Sequence, residues 1–165
     1  MALRPCSQVC YLFRHGWNYT TCPIPVGICD TIHGMGFFKA YDMRGTFGVD
    51  FDLETVEKVG RALPQVVGGR RWLVGRDCRT TSKAVRDALV KGLTAAGAEV
   101  TDLGLATTPM VYFFTVKENF DGSVMITASH NPPSDNGLKV SRKGGLPVGY
   151  ESGLKEVEAI VHGAA

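Results

Sequence analysis

The chain lacks any strong excess of one charge: its 165 residues carry 18 basic and 16 acidic side chains, a formal net charge of +2. So weak a field gives no basis for a nucleic-acid partner or an anionic membrane surface, and any anion site must be local. Long apolar runs are missing too. None approaches the roughly 18 consecutive apolar residues of a membrane span, and the start lacks the charged-then-apolar pattern of a signal peptide. The globular part is therefore expected to be soluble and cytoplasmic. No internal repeat or low-complexity tract is present, and the 44% hydrophobic content can fill the core of one domain.

Lysine is absent from residues 1–34, where Asp30 is the single acid and neither helical nor strand periodicity runs. Cysteine is nearly absent from the rest: Cys6, Cys10, Cys22 and Cys29 fall in that first stretch, and only Cys78 lies beyond it. A zinc site from those cysteines with His15 and His33 is conceivable, but Cys-x3-Cys and Cys-x6-Cys are loose against known ligand spacings. Residues 1–34 read as an atypical, disordered leader, with Met35 the natural start of a domain over 35–165.

From Met35 strand-like and helix-like segments alternate. Leu53, Val56, Val59 and Leu63 recur at helical spacing, with Asp52 placed to cap the element and Pro64 and Gly68-Gly69 to end it. Arg71 to Gly75 reads as a strand, followed by a helix capped by Ser82 that carries Val85, Leu89, Val90 and Leu93 and closes at Gly97. Strands are expected at Glu99 to Gly104, Ser123 to Thr127 and Leu138 to Val140. Helices are expected from Pro109 to about Lys117 and through Leu154, Val157, Ile160 and Val161. This order predicts an α/β fold, a three-layer α/β/α with a mainly parallel mixed sheet of about four strands. Ligands of such sheets bind outside the carboxyl ends of the strands, which selects the loops 75–82 and 127–136.

Ser129, in the stretch Ile126-Thr-Ala-Ser-His-Asn-Pro-Pro133, is the hydroxyl of interest. A Ser-His hydrolase would need an elbow of Gly-x-Ser-x-Gly, a histidine within reach and a carboxylate behind it. Ser129 has no elbow glycines, and in an extended loop His130 would point away from its neighbour. Phosphoryl transfer asks for less: a hydroxyl to carry the group and cations to cancel its charge. Arg44, Arg76, Arg79, Lys139 and His130 lie in or beside the strand-end loops, while Asn131 and the two prolines can fix the loop's shape.

Four motifs in order then carry a resemblance. Thr127 to Pro133 followed by Asn136-Gly137-Leu138-Lys139 resembles the phosphoserine loop of the α-D-phosphohexomutases. Tyr41-Asp42-Met43-Arg44-Gly45 resembles their Tyr-Asp-x-Arg-Gly motif, Gly75 to Arg79 their Gly-x-Asp-x-Arg segment, and Thr108-Pro109 their Thr-Pro before a helix. The double proline is most similar to the phosphomannomutase/phosphoglucomutase branch, since phosphoglucosamine mutases more often have an aromatic residue at the position of Pro133. The resemblance implies an isomerase that moves a phosphoryl group between C1 and C6 of a hexose phosphate, such as mannose or glucose phosphate. Ser129 would be the carrier and, through its phosphate, one ligand of Mg²⁺. Arg44 would neutralise that phosphate, Lys139 and His130 would assist proton transfer and charge balance, and Tyr41, Asn131, Arg76 and Arg79 would shape the pocket. Glucose 1,6-bisphosphate would be the activator.

The family's remaining parts lie in domains II to IV, among them an Asp-Gly-Asp-x-Asp-Arg metal loop, and none is in this sequence. The chain is accordingly expected to be a fragment that is inactive alone and exposes apolar surface where those domains pack. The alternatives are a phosphoglucosamine mutase domain or a non-catalytic phosphosugar-binding module. Asp50-Phe51-Asp52 also resembles the nucleophile motif of haloacid-dehalogenase-type phosphatases, but Gly45 and Gly48 interrupt the strand it needs. A helix cap explains Asp52 and Glu54 more simply.

Overall fold

Both faces of the central strands are apolar, so a layer of helix must cover each. In the computed structural model, which describes residues 36–163, these layers are built from ten elements. They run β1 (Met43–Thr46), α1 (Leu53–Val66), β2 (Arg71–Arg76), α2 (Ser82–Ala95), β3 (Glu99–Leu105), α3 (Thr108–Lys117), β4 (Gly122–Ile126), β5 (Asp135–Arg142), β6 (Leu146–Pro147) and α4 (Leu154–Val161). The leader and the zinc ligands considered for it lie outside the described residues.

Trp72 and Val74 of β2, Val124 and Ile126 of β4, and Leu138 and Val140 of β5 pack with α1, α2 and α4 in one core. Their alternates Leu73 and Met125 join Val111 and Phe120 in a smaller core on the opposite face, under α3. Three helices thus cover one face and a single helix the other. That lone helix leaves Met110, Phe113 and Val116 exposed, next to exposed Leu105.

The sheet is mixed, as expected, but has six strands rather than about four, in the order β1-β5-β4-β2-β3 with β6 on β5. Its parallel part is confined to β3-β2-β4. β5 runs antiparallel to β4 because the loop over 127–134 is too short for a crossover helix. The antiparallel β1 then pairs with the first half of β5, setting Met43 opposite Leu138 and Arg44 opposite Gly137.

Asp52 caps α1, its carboxylate accepting from the Thr55 amide at 2.8 Å. The dehalogenase-like Asp-x-Asp is thereby accounted for as a helix start. Pro64 does not stop the helix: it lies in the last turn, where a missing N–H costs one bond while the Val67 and Gly68 amides still close on Leu63 and Pro64. Gly68 and Gly69, both at positive φ, end the element as expected. Ser82 is not the cap of α2 but its first residue; Thr81 precedes it without a capping side-chain bond. The buried Ser82 hydroxyl instead donates to Asp77 at 2.6 Å.

Where α1 crosses α2, backbone meets backbone. A Cβ on Gly92 would lie 2.2 Å from the Glu57 carbonyl oxygen, and one on Gly60 2.6 Å from that of Leu89. Gly92→Ala sets two effects against each other: helix propensity favours alanine by about 1 kcal/mol, and overpacking costs about 1–3 kcal/mol or more. The clash should win, lowering stability in urea unfolding; a variant as stable as the parent would contradict the close crossing.

Candidate active site

Three loops leave the carboxyl ends of the parallel strands: 77–81 after β2, 106–107 after β3 and 127–134 after β4. Together they line a cleft of about 430 Å³ that includes Cys78, Arg79, Thr107, Thr127, Ser129 and Pro133. Sequence reasoning selected the first and third loops and passed over the second, although Thr108-Pro109 had marked the start of α3.

The β4–β5 loop opens with a tight turn in which the Asn131 amide donates to the Ala128 carbonyl at 3.1 Å. Ser129 is its first central residue and has φ of +57°; Asn119 is the only other non-glycine residue at positive φ among the described residues. Ser129 and His130 are both exposed. The expectation that His130 points away from Ser129 rested on an extended loop, and the turn overturns it. Its Nδ1 lies 3.4 Å from the Ser129 Oγ, a long contact. No carboxylate hydrogen bond to His130 is present among the described residues, so the contact does not make a hydrolase triad.

Arg79 determines the shape of this loop. Its Nη1 donates to the carbonyls of Pro132 (2.6 Å) and Asp135 (3.1 Å), and its Nη2 to those of Ser129 (2.9 Å) and Asn131 (2.8 Å). Nε donates to Asp77 at 3.2 Å. All five N–H groups of the guanidinium are thus engaged within the chain, which leaves no donor for a ligand. Asp77 is in turn fixed by the Arg79 amide (3.0 Å) and by Ser82. Buried Asn136, donating to Thr81 and Ser82, ties β5 to the start of α2.

On the other side of the loop Asp42, only 5% exposed, accepts from Arg44 Nη2 and Lys139 Nζ, each at 2.5 Å. Burial alone would push its carboxyl up; the bonds to Lys139 and Arg44 more than offset this and hold it below the usual carboxylate range. The second Arg44 nitrogen donates to Asn131 Oδ1 at 3.0 Å, and Asn131 Nδ2 donates to Asp135 at 2.9 Å. That bond and one from Thr46 hold Asp135 below its ordinary pKa as well. A second cleft of about 470 Å³ opens here, lined by Lys39, Asp42, Arg44, Asn131 and Asp135.

The structure therefore joins Arg44 and Lys139 through Asp42, with Asn131 bonded to Arg44, and Ser129, His130 and Arg79 through the loop backbone. Tyr41 is not part of either group: it is 86% exposed and lines neither of these clefts. Arg76 turns to the Asp77 carbonyl at 3.3 Å and makes no bond to the Ser129 loop. Asp42, Asp77 and Asn136 stood inside the quoted motifs without a role, and Asp135 was missed. Asp42 and Arg44 are two apart, the spacing that puts strand residues on one side, and this was the available signal.

The family model for "Phosphoglucomutase/phosphomannomutase, alpha/beta/alpha domain I" matches residues 35–165. A phosphomannomutase of Salmonella typhimurium is 39% identical over 74% of this chain and 27% of its own. A Thermococcus gammatolerans protein named "probable phosphoglucosamine mutase" is 43% identical over 67% of this chain and 24% of its own. The crystal structure of a phosphoglucomutase/phosphomannomutase family protein from Burkholderia thailandensis superposes with a TM-score of 0.68 at 33% identity, over 78% of this chain and 30% of that one. The chain thus spans about a quarter of the length of these two curated relatives. No described helix is long and apolar enough to cross a membrane.

Two outcomes follow from the geometry. Arg79→Lys keeps the charge but not the fork, so the Asn131 and Asp135 amides should exchange hydrogen faster while those of β2 and β4 do not; unchanged protection in the loop would refute the clamp. Asp42 stabilises the fold above its unfolded pKa of about 3.9, and this contribution is lost as pH falls through the lower folded value. Asp42→Asn should cost about 3 kcal/mol in urea unfolding at pH 7 and progressively less toward pH 3; an equal cost at both pH values would contradict this linkage.

Proposed function

The chain belongs to the phosphoglucomutase/phosphomannomutase family as its α/β/α domain I, and on that premise we propose that Ser129 carries a phosphoryl group between C1 and C6 of a hexose phosphate. The observation that carries the reading is the φ of +57° at Ser129. Turns with positive φ at the first central position ordinarily take glycine there. A side chain kept at such a place points to a use for its hydroxyl.

In each half of the reaction a P–O bond to Ser129 Oγ breaks as one to a sugar hydroxyl forms, or the reverse. The hydroxyl that gains phosphorus loses its proton, and the oxygen that leaves takes one up. His130, whose Nδ1 lies 3.4 Å from Oγ, would assist the exchange of that proton. Arg44 and Lys139 supply positive charge against the phosphate oxygens, with Asn131 holding Arg44. Arg79 acts through the loop backbone. The expected roles of Tyr41 and Arg76 as pocket-shaping groups gain no support from their positions.

Mg²⁺, which the family implies, would supply further charge to the phosphate. Among the described residues no group of three or more His, Cys, Asp or Glu side chains is placed to hold a metal ion. They do not fit a complete magnesium site, and beyond an oxygen on phosphorylated Ser129 its ligands would come from elsewhere. Glucose 1,6-bisphosphate would load the serine. Domains II to IV, which in the family select the sugar, would be needed for turnover, so the 165-residue chain by itself should isomerise little substrate.

A phosphoglucosamine mutase domain remains the second reading, favoured by the Thermococcus relative and opposed by Pro133. The first is tested by intact and peptide mass analysis of the chain before and after incubation with glucose 1,6-bisphosphate and Mg²⁺. One phosphoryl group should appear on Ser129 and be absent from Ser129→Ala. Uptake by neither protein would assign the phosphoryl chemistry to the complete enzyme and leave this chain without activity of its own.

A further inference from the structure

We infer that Thr127 is the positioning residue that holds Ser129 in its left-handed turn and so aims the hydroxyl into the cleft. Its functional part rests on the carrier role proposed for Ser129; its structural part does not.

Thr127 directly follows β4 and is anchored there, its amide donating to the Gly137 carbonyl at 3.0 Å. Thr127 as a whole is buried, only 7% exposed. From this fixed point Oγ1 accepts the Ser129 amide at 2.9 Å. The amide of Ser129 is thus fixed by Thr127, and its carbonyl by Arg79 at 2.9 Å. With both ends of the residue tied, φ cannot relax toward the negative region that serine otherwise prefers. Among the described residues the hydroxyl's only side-chain hydrogen-bond partner is His130, at a long 3.4 Å, so the backbone and not the side chain determines where Oγ points.

Asn119 shows what the alternative looks like. It reaches positive φ at the end of α3, a place where asparagine is a usual terminator. Ser129 has no such local reason, and a neighbouring hydroxyl supplies the restraint.

The test uses the 165-residue chain with Thr127→Val, which keeps the shape but loses the acceptor, and Thr127→Ser, which keeps the acceptor. Three readouts are taken: amide hydrogen exchange at Ser129, its φ-dependent amide–Hα coupling, and the rate of phosphoryl uptake from glucose 1,6-bisphosphate with Mg²⁺. Thr127→Val should speed exchange at Ser129 by about tenfold, shift its coupling and slow uptake, while β2 and β4 keep their protection; Thr127→Ser should restore all three. Wild-type exchange and coupling at Ser129 in Thr127→Val would overturn the inference, as would equal effects of both variants. If the unsubstituted chain takes up no phosphate, the carrier chemistry needs the complete enzyme, and exchange and coupling alone still decide whether Thr127 sets the turn.

Discussion

The guanidinium of Arg79 is the contact on which the candidate site depends. A loop of eight residues between two strands carries backbone carbonyls that cannot all pair with each other, and three of them, with that of Asp135 at the start of β5, converge on one planar cation. Only arginine presents enough donors in a fixed fork to collect them. Because Nε of the same group is held by Asp77, the loop is fastened to the end of β2 and, through Ser82, to the start of α2. The site is therefore a product of the sheet's central parallel strands, although its serine lies on a connection to an antiparallel one.

The antiparallel half of the sheet has a different task. β5 and β1 carry Lys139 and Arg44, and one buried carboxylate, Asp42, binds both. Two like charges drawn together need such a counter-ion, and one with low exposure is screened little by solvent. The result is a cationic pair whose location follows from strand register, with Asn131 linking it to the loop that bears Ser129. The two halves of the sheet thus meet at one asparagine.

The four helices and the strands β2 to β5 were legible in the sequence, β1 and β6 were not; where both faces are buried the period shows, and Trp72, Val74 and Leu73 sort to two cores as alternation requires. The order of the motifs made the family legible as well. What escaped notice depended on contacts between distant positions. Gly60 and Gly92 have no meaning in the sequence until the crossing brings them together, and Asp42 read as one letter of a motif until β5 delivers Lys139. The misjudged position of His130 came from treating the loop as extended, since nothing local in Ala128-Ser129-His130 announces a left-handed serine. Arg79 looked like a ligand-binding charge because its partners, being carbonyls, have no signature in the sequence.

The backbone at position 129 has an energetic meaning beyond geometry. A left-handed residue with a Cβ is less comfortable than glycine in the same place. Stability alone would therefore replace Ser129, and the most favourable replacement for the fold is one that deletes its oxygen. Stability and chemistry are opposed at this residue, so sequences improved only for thermal endurance would lose the hydroxyl first.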